Sequence, residues 1–283
     1  MTIKETYRSF SEKLNLVYSE GEAAAICRIL FEDLLSLTPS LISAKADEDL
    51  SSGDQEKLNV ALEKLLLHTP VQYVTGHTIF CGLPFIVNEN VLIPRPETEE
   101  LVHEVINALK NKPQQKILDI GTGSGCIPVS IKKNIPQAEV IAVDLSNGAL
   151  ETAKKNAAAN HVDVKFHCID FTDEAQSATL PSFDIIISNP PYIPENEKEL
   201  LDKNVTAFEP HLALFVPDND PLMFYRLIHS FAKTHLNEGG KIFLEMHEEF
   251  AKETAALFTG NYSAEIKKDI NGKERMLIVT RSR

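Results

Sequence analysis

Residues 117–131 read "ILDIGTGSGCIPVSI", an apolar run, then a glycine-rich turn, then a second apolar run. Gly121, Gly123 and Gly125 allow the backbone to turn sharply and to approach a ligand closely. The spacing is G-x-G-x-G, because Cys126 stands where the dinucleotide-binding fingerprint has its third glycine. The Walker sequence of nucleotide-hydrolysing enzymes is missing too. The stretch therefore predicts a strand, a ligand-binding loop and a helix, in that order.

From residue 116 onward the chain alternates between strand-like and helix-like segments. The strand-like segments are "KILDI", "EVIAVD", "VKFHCID", "FDIIIS" and "GKIFLEM". They are almost continuously apolar, as strands are when both faces of a sheet are covered, which predicts an α/β fold with a mostly parallel sheet. The tail, "YSAEIKKDINGKERMLIVTR", predicts two strands around an Asn271–Gly272 turn, so we expect the last strand to run antiparallel.

The N-terminal part of the chain has a different pattern. Apolar residues recur at three- and four-residue spacing in "AAAICRILFEDLLSL" and "DQEKLNVALEKLLLH", which predicts helices, the second capped by Ser51 or Asp54. Two β-rich runs then flank Gly82-Leu83-Pro84 and predict a hairpin. We divide the chain into a helical domain, a β-hairpin linker and an α/β domain, with the bounds 1–70, 71–95 and 96–283.

Two acidic residues at predicted strand ends point to a nucleoside ligand. Asp144 ends the second strand, where a carboxylate is placed to accept hydrogen bonds from both hydroxyls of a ribose. The third strand ends at Asp170-Phe171, a carboxylate and an aromatic face that suit an adenine ring. Taken singly, Asp144 is as well explained as a helix cap and Phe171 as a core residue. In this order and spacing, with the glycine loop, they favour a nucleoside site. The loop resembles the S-adenosylmethionine loop of class I methyltransferases more than an NAD or ATP site.

The fourth strand runs into Asn189-Pro190-Pro191-Tyr192, which a simple turn does not require. A nitrogen conjugated to a π-system is a poor nucleophile. Two acceptors that bond both of its N–H groups draw it towards tetrahedral geometry. The Asn189 side-chain oxygen supplies one acceptor, and the Pro190 carbonyl, held by the rigid prolines, supplies the other. Tyr192 is then placed to stack on the planar target. The alternative is a rigid turn after a strand.

Composition narrows the class of protein. The chain has 283 residues, with 28 Lys and Arg against 41 Asp and Glu, for a formal charge of −13. This balance lacks the general attraction to phosphate backbones, so direct DNA binding is not expected. The four cysteines show no C-x-x-C spacing and the start of the chain has no signal-peptide core. We therefore expect a cytoplasmic protein that has no metal site and does not associate with membranes.

Further stretches make the resemblance more specific. Together with "NPPY", four stretches resemble the HemK-type peptide chain release factor glutamine methyltransferases. They are "TPVQYVTGHTIFCGLPFIVNENVLIPRPETEELV" (69–102), "ILDIGTGSGCI" (117–127), "FEPHLALF" (208–215) and "KDINGKERML" (268–277). The resemblance implies a class I S-adenosylmethionine-dependent methyltransferase, with a Rossmann-like seven-stranded sheet. It implies methylation of the glutamine amide nitrogen in the Gly-Gly-Gln (GGQ) loop of bacterial class 1 release factors, with the helical domain docking the release factor.

The resemblance also assigns residues. The amide clamp that binds the substrate falls on Asn189, Pro190, Pro191 and Tyr192, of which Asn189, Pro190 and Tyr192 are also catalytic. The S-adenosylmethionine site falls on Gly121, Thr122, Gly123, Ser124, Gly125, Asp144, Phe171 and Asn189. Glu209 is expected to support the clamp loop, and Arg95 and Glu97 to fix the hairpin or the site wall. Two positions depart from the family: Phe171 stands where tryptophan is common, and His247 where glycine is. We expect His247 to be a surface or loop residue outside any metal-ligand cluster.

Two other functions compete. An adenine- or cytosine-amino methyltransferase of nucleic acid also uses NPPY, but it needs a basic groove, and residues 1–80 hold 7 Lys and Arg against 12 Asp and Glu. A nucleoside-binding regulatory module without catalysis would keep the glycine loop but would have little use for an exposed Asn-Pro-Pro-Tyr.

Overall fold

The computed structural model describes residues 1–112 and 114–282. These residues form two compact units: one comprises residues 1–77 and 202–208, and the other comprises residues 78–201 and 209 to the C-terminus. None of the helices in the described residues combines the length and the apolar character that crossing a lipid bilayer requires.

The helices, in chain order, are α1 (Ile3–Leu14), α2 (Glu20–Leu35), α3 (Pro39–Ala44), α4 (Ser52–Leu66), α5 (Val71–Thr75), α6 (Pro96–Leu109), α7 (Cys126–Asn134), α8 (Asn147–Ala159), α9 (Glu174–Ser177), α10 (Lys203–Phe208), α11 (Met223–His235) and α12 (Ala251–Leu257). The strands are β1 (His77–Phe80), β2 (Leu83–Ile86), β3 (Lys116–Ile120), β4 (Glu139–Asp144), β5 (Lys165–Cys168), β6 (Phe183–Ser188), β7 (Ile193–Pro194), β8 (Phe215–Val216), β9 (Leu236–Glu245), β10 (Tyr262–Lys268) and β11 (Glu274–Arg281).

The first unit is a helical bundle around one apolar core. Phe10, Leu30, Phe31, Leu58 and Leu65 are all fully buried in this core. Each of the first four helices begins at a Ser or Thr whose side chain accepts a hydrogen bond from the helix's own backbone. The predicted cap of α4 is confirmed as Ser51, whose hydroxyl accepts from the Asp54 N–H.

The segment after this bundle differs in part from the prediction. The hairpin around Gly82 is present as β1 and β2, but residues 71–75, which we expected to be strand-like, form the short helix α5. Pro70 precedes α5, and Gly76 ends it in the left-handed conformation with φ of 80°. The β-branched residues of "VQYVT" favoured a strand. Strand propensity is weak and depends on context, and between Pro70 and Gly76 these residues form one helical turn instead.

The second unit is built on one seven-stranded sheet in the order β10-β11-β9-β6-β3-β4-β5. Strands β9, β6, β3, β4 and β5 are parallel, and β11 runs antiparallel to both β9 and β10. The predicted mostly parallel α/β sheet with an antiparallel final strand is therefore confirmed. Helices α6 and α7 contribute to the core on one face of the sheet, and α11 and α12 to the core on the other.

The strand order places a topological switch point at β3. From β3 the chain first moves in one direction to β4 and β5, and then crosses back to β6 on the other side of β3. Open α/β sheets bind their ligands in the crevice that such a reversal opens at the carboxyl ends of the strands. The carboxyl ends of β3 and β6 are joined by a bond of 2.7 Å, which the Ser188 hydroxyl donates to the Ile120 carbonyl.

Candidate active site

The glycine loop follows β3 and leads into α7, as its sequence predicts. Gly121, Gly123 and Gly125 have φ angles of 72°, 53° and 77°, in the left-handed region that favours glycine. The backbone N–H groups of Gly121 and Thr122 both donate to the Val143 carbonyl, at 2.9 and 3.0 Å. These bonds attach the start of the loop to the neighbouring strand β4, so the loop lies across the ends of both strands.

Asp144, the last residue of β4, is fastened to the same loop. Its Oδ2 accepts from the Gly123 N–H at 2.8 Å and its Oδ1 from the Ser146 N–H at 2.9 Å. Helix α8 is capped instead by Ser146, whose hydroxyl accepts from the Ala149 N–H. Each carboxylate oxygen has further lone pairs, so Asp144 retains acceptors for a diol beside the loop.

Asp119, in β3 just before the loop, is a buried acid to which we gave no role from the sequence. It is fully buried, and neither of its carboxylate oxygens makes a hydrogen bond of normal geometry among the described residues. Burial raises the pKa of the Asp119 carboxyl to about 7, and the Thr122 hydroxyl opposes this only in part. The hydroxyls of Thr122 and Ser124 are likewise buried and make no hydrogen bond of normal geometry in the described structure. An acid directly before a G-x-G-x-G loop was the available signal.

Phe171 lies close after β5, but it is largely buried. Its ring packs edge-to-face on Phe231, with 5.2 Å between centroids, and belongs to the apolar core below the sheet edge. This packing agrees with the alternative interpretation of the sequence, that Phe171 is a core residue. Its place beside an adenine ring stays a prediction.

The Asn-Pro-Pro-Tyr motif follows β6 directly, at the same sheet edge as the glycine loop. Asn189 and Tyr192 are half-buried and Pro190 is buried. The Asn189 Nδ2 donates to the Thr98 hydroxyl at 3.2 Å, and the Tyr192 hydroxyl donates to Glu245 Oε1 at 3.1 Å. The motif is therefore anchored on both polar side chains.

Thr98 and Glu245 were not among the predicted site residues. Thr98 lies in the first turn of α6, and Glu245 is the last residue of β9, next to β6 in the sheet. Thr98 donates to Glu245 Oε2 at 2.6 Å, and both residues are buried. Burial raises the pKa of Glu245, while its bonds from Thr98 and Tyr192 oppose that rise. A carboxylate at the end of the apolar run "GKIFLEM" was the signal in the sequence.

Glu209 has a different contact from the one we expected. Its buried carboxylate accepts from the Ile93 N–H at 3.1 Å and from the Arg95 guanidinium at 2.7 Å. These bonds fix the segment before α6 rather than the Asn189–Tyr192 loop, so the expectation for Glu209 is corrected. Arg95 is the partner in this ion pair, and its expected role in fixing the hairpin or the site wall stays a prediction. Glu97 contacts Asn271 in the last hairpin, with 3.3 Å between Oε1 and Nδ2.

His247, two residues beyond β9, is more enclosed than expected. One ring nitrogen of His247 and one carboxylate oxygen from each of Glu197 and Glu249 lie within 4.8 Å of one another, so that these three groups could hold a metal ion. The expectation that His247 lies outside any metal-ligand cluster is therefore wrong. The ring is already bonded at both nitrogens: Nε2 contacts Glu197 at 3.1 Å, and Nδ1 accepts from the Glu249 N–H at 3.3 Å. It also packs edge-on to the Tyr192 ring. The arrangement caps the short turn that follows β9, and the absence of a metal stays a prediction.

Known families match both units of the chain. The family model described as "Methyltransferase small domain" matches residues 102–212, and the one described as "PrmC N-terminal domain" matches residues 5–76. A solved structure from Streptococcus mutans, described as a sam-dependent methyltransferase, is similar with a TM-score of 0.52. It is 14% identical and covers 72% of this chain and 55% of its own, so the likeness concerns the fold alone.

Two curated relatives align over nearly the whole chain. The release factor glutamine methyltransferase of Flavobacterium psychrophilum is 43% identical over 99% of both chains. That of Bacteroides thetaiotaomicron is 39% identical over 95% of this chain and 97% of its own. With its sheet, its strand-end loops and this similarity over its full length, the chain belongs to the release factor glutamine methyltransferase family.

Proposed function

We propose that the chain transfers a methyl group from S-adenosylmethionine to the side-chain amide nitrogen of the glutamine in the GGQ loop of class 1 peptide chain release factors. One observation carries the proposal: the Gly121–Gly125 loop and the Asn189–Tyr192 motif follow the two adjacent strands, β3 and β6, that flank the switch point of the sheet. A nucleoside-binding loop and an amide-binding motif thereby share one crevice, in a chain of this family.

The residues around the loop fit the proposed cofactor. The buried Asp119 carboxylate has no hydrogen bond of normal geometry from the described residues, and a cationic amino group would compensate it. Asp144 has acceptors left for ribose hydroxyls, and Phe171 is expected to border the adenine. When bound, S-adenosylmethionine supplies a methyl group on a positively charged sulfur. Together Gly121–Gly125, Asp119 and Asp144 would hold the cofactor.

The clamp residues act on the substrate amide. The Asn189 Oδ1 and the Pro190 carbonyl accept from the two N–H groups of the glutamine side chain, which draws its nitrogen out of conjugation and directs its lone pair. Because positive charge develops on that nitrogen during transfer, both acceptors bind the transition state more tightly than the ground state. Positioning of this kind accounts for roughly 7–11 kcal/mol of a barrier in well-oriented reactions.

A strong general base is not needed at this site. Once methylated, the amide nitrogen carries a positive charge and loses its proton readily to solvent. Tyr192 is proposed to stack on the planar amide, with its hydroxyl held by Glu245. Burial raises the pKa of the Tyr192 hydroxyl well above its ordinary value, so this group stays protonated and serves as a hydrogen-bond donor.

The helical unit, residues 1–70 in our division, is proposed to dock the release factor. It carries a net negative charge, since its acidic residues outnumber its basic ones. This charge suits a protein partner better than a nucleic acid.

A labelling experiment tests the proposal. The chain is incubated with methyl-labelled S-adenosylmethionine and either a purified class 1 release factor or double-stranded DNA, and label is counted in each polymer. Label is expected in the release factor and none in DNA. Label in DNA alone would assign the chain to the nucleic-acid methyltransferases, and cofactor binding without transfer to either would favour a regulatory module.

A further inference from the structure

A buried polar pair, Thr98 and Glu245, hydrogen-bonds to the two polar side chains of the Asn-Pro-Pro-Tyr motif. Thr98 and Glu245 are each 2% exposed, and the Thr98 hydroxyl donates to Glu245 Oε2 at 2.6 Å. Burying a carboxylate away from water is expensive, and apolar residues of similar volume often do at least as well for stability. Their position points to a role other than packing, since both touch the motif.

Because a hydroxyl group has a single proton, the Thr98–Glu245 bond fixes the direction of the hydrogen bond between Thr98 and Asn189. A threonine hydroxyl has one proton, and this one is given to Glu245. The Thr98 oxygen can therefore only accept from its other neighbour, the Asn189 side chain 3.2 Å away. The Asn189 NH₂ group must face Thr98, which leaves Oδ1 on the opposite edge of the amide.

The same carboxylate holds the other polar end of the motif. Glu245 Oε1 accepts from the Tyr192 hydroxyl at 3.1 Å, so its two oxygens separately serve the Asn189 arm and the Tyr192 arm. The backbone around Glu245 is fixed in turn, because its carbonyl accepts from the buried Tyr225 hydroxyl at 3.3 Å. One buried carboxyl group at the end of β9 thus contacts both arms of the motif, with Oε2 bonded to Thr98 and Oε1 bonded to Tyr192.

We propose that Thr98 and Glu245 are positioning residues for methyl transfer, because Glu245 orients the Thr98 hydroxyl and this hydroxyl keeps the Asn189 Oδ1 directed at the substrate. The inference rests on the function proposed above. With the amide turned over, Asn189 would present a donor to the donor N–H groups of the glutamine. The clamp would then lose one of its two acceptors and would repel the substrate instead.

Kinetics of matched variants test the role. Thr98→Val removes the hydroxyl at nearly constant volume, Thr98→Ser keeps it, and Thr254→Val is the control, because Thr254 is a fully buried threonine in α12 without a hydrogen-bond partner in the described structure. Thr98→Val is expected to lower kcat by about tenfold or more, the loss seen when one polar contact to a developing charge is disturbed. Thr98→Ser and Thr254→Val are expected to keep kcat within about threefold of the unmodified chain, and Kd for S-adenosylhomocysteine is expected to change little in all three.

A double-mutant cycle separates positioning from general loosening of the fold. Combined with Asn189→Ala, Thr98→Val is expected to cause no further fall in the single-turnover rate, because the amide that it orients is gone. A normal kcat in Thr98→Val would overturn the proposal. So would an equal loss in both backgrounds.

Glu245→Gln is the second variant. Its NH₂ group can donate to Thr98, which frees the Thr98 proton to bond the Asn189 oxygen and so turns the amide. A fall in kcat with unchanged thermal stability is the expected result, and wild-type kcat would contradict the role of Glu245.

A spectroscopic readout makes the test independent of turnover. The side-chain NH₂ signals of Asn189, assigned by their disappearance in Asn189→Ala, are expected to be protected from solvent exchange in the unmodified chain and unprotected in Thr98→Val. Unprotected signals in the unmodified chain would overturn the inference, whether or not that chain methylates a release factor. A chain that shows protected signals but methylates no release factor would instead overturn only the proposed function.

Discussion

Two carboxylates near adjacent strand ends differ in their hydrogen bonds, although burial raises the pKa of both. Asp144 receives two backbone N–H bonds and is half-buried, whereas Asp119 is fully buried with no bond of normal geometry to its oxygens among the described residues. An unpaired buried acid prefers to be neutral, which is why the pKa of Asp119 rises to about 7. A cationic ligand group at Asp119 reverses that preference, so binding and ionisation are linked.

This linkage predicts pH-dependent binding. In the free chain Asp119 is protonated below about pH 7, and the fold loses stability as the pH rises from the ordinary Asp value of 3.8 to about 7, because in that range only the unfolded chain releases this proton. Binding of an ammonium group requires the ionised form, so Kd for S-adenosylhomocysteine is expected to rise by up to about tenfold per unit as the pH falls below about 7. Calorimetric titration between about pH 5.5 and about pH 8 measures it.

Asp119→Asn is the control for that titration. It keeps the shape of the side chain but cannot ionise, so the slope below neutral pH should disappear and the affinity at high pH should fall. If the unmodified chain binds with the same Kd across the range, Asp119 does not meet the cationic group.

The clamp makes a second prediction at the scale of single residues. Asn189→Ala removes one of the two acceptors for the substrate amide, and a loss of about 10²–10³-fold in kcat is expected, as for other preorganised polar groups at developing charges. Because Asp119, Asp144 and the glycine loop are unchanged, Kd for S-adenosylhomocysteine should shift by less than about threefold. Stopped assays with a release factor give kcat, and near-normal turnover would rule out the clamp.

Single residues also show where sequence reasoning ends. The positions of Asp144, the glycine loop and Asn189 at strand ends could be predicted, because each follows its strand directly in the chain. Thr98 and Glu245 could not, since the bond between them joins residues 147 positions apart and Thr98 meets Asn189 across 91 positions. No local pattern encodes such a contact.

Gly125, the residue that caps α7, lies against Ala153 of α8. Gly125 has φ of 77°, and a Cβ added there would lie 2.9 Å from the Ala153 Cβ in α8. Gly272, in the final hairpin turn, has φ of 80° but open space around it. An alanine at Gly272 would therefore cause backbone strain alone, whereas an alanine at Gly125 would cause backbone strain and a steric clash.

Alanine substitution at these two glycines gives the prediction for this contact. Gly272→Ala should lower the free energy of unfolding by about 1–2 kcal/mol, the penalty of a left-handed L-residue. Gly125→Ala should lose that amount and about 1–3 kcal/mol more, because the added methyl group overpacks the contact with Ala153. Urea denaturation compares the two variants, and equal losses would mean that α7 and α8 separate without strain.

Elements are also joined by buried amides. Asn156 of α8 is fully buried, accepts from the Ile86 N–H at 2.6 Å, and donates to the carbonyls of Ile86 and Ser124, both at 2.9 Å. One side chain thus ties the end of β2 to the glycine loop. The pattern of the sequence predicted β2 and α8, but this connection depends on their packing and was not predictable.

Element boundaries followed from the sequence wherever a single signal dominated. Ser51 caps α4, and the Asn271–Gly272 turn separates β10 from β11, both as predicted. The segment "VQYVT" was predicted wrongly. Its residues favour a strand, but they form a single helical turn that Pro70 precedes and Gly76 ends. Short elements are decided by such competition, which propensity alone does not resolve.

At the scale of the whole molecule, the sheet order explains why one fold can bring the proposed cofactor loop and the proposed substrate clamp together. The reversal at β3 places the loops after β3 and β6 side by side, and β4 and β9 contribute Asp144 and Glu245 from the neighbouring positions. The alternation of strands and helices predicts the parallel sheet, and the resemblance to class I methyltransferases supplies the expected strand number. The net charge of −13 is consistent with a protein substrate rather than a nucleic acid.

The most direct measurement locates the transferred methyl group. A class 1 release factor is incubated with the chain and S-adenosylmethionine, digested, and sequenced by tandem mass spectrometry. The account predicts one added methyl group on the side-chain nitrogen of the GGQ glutamine, absent when Asn189→Ala replaces the unmodified chain. A methyl group on any other residue, or a GGQ glutamine that stays unmodified, would contradict it.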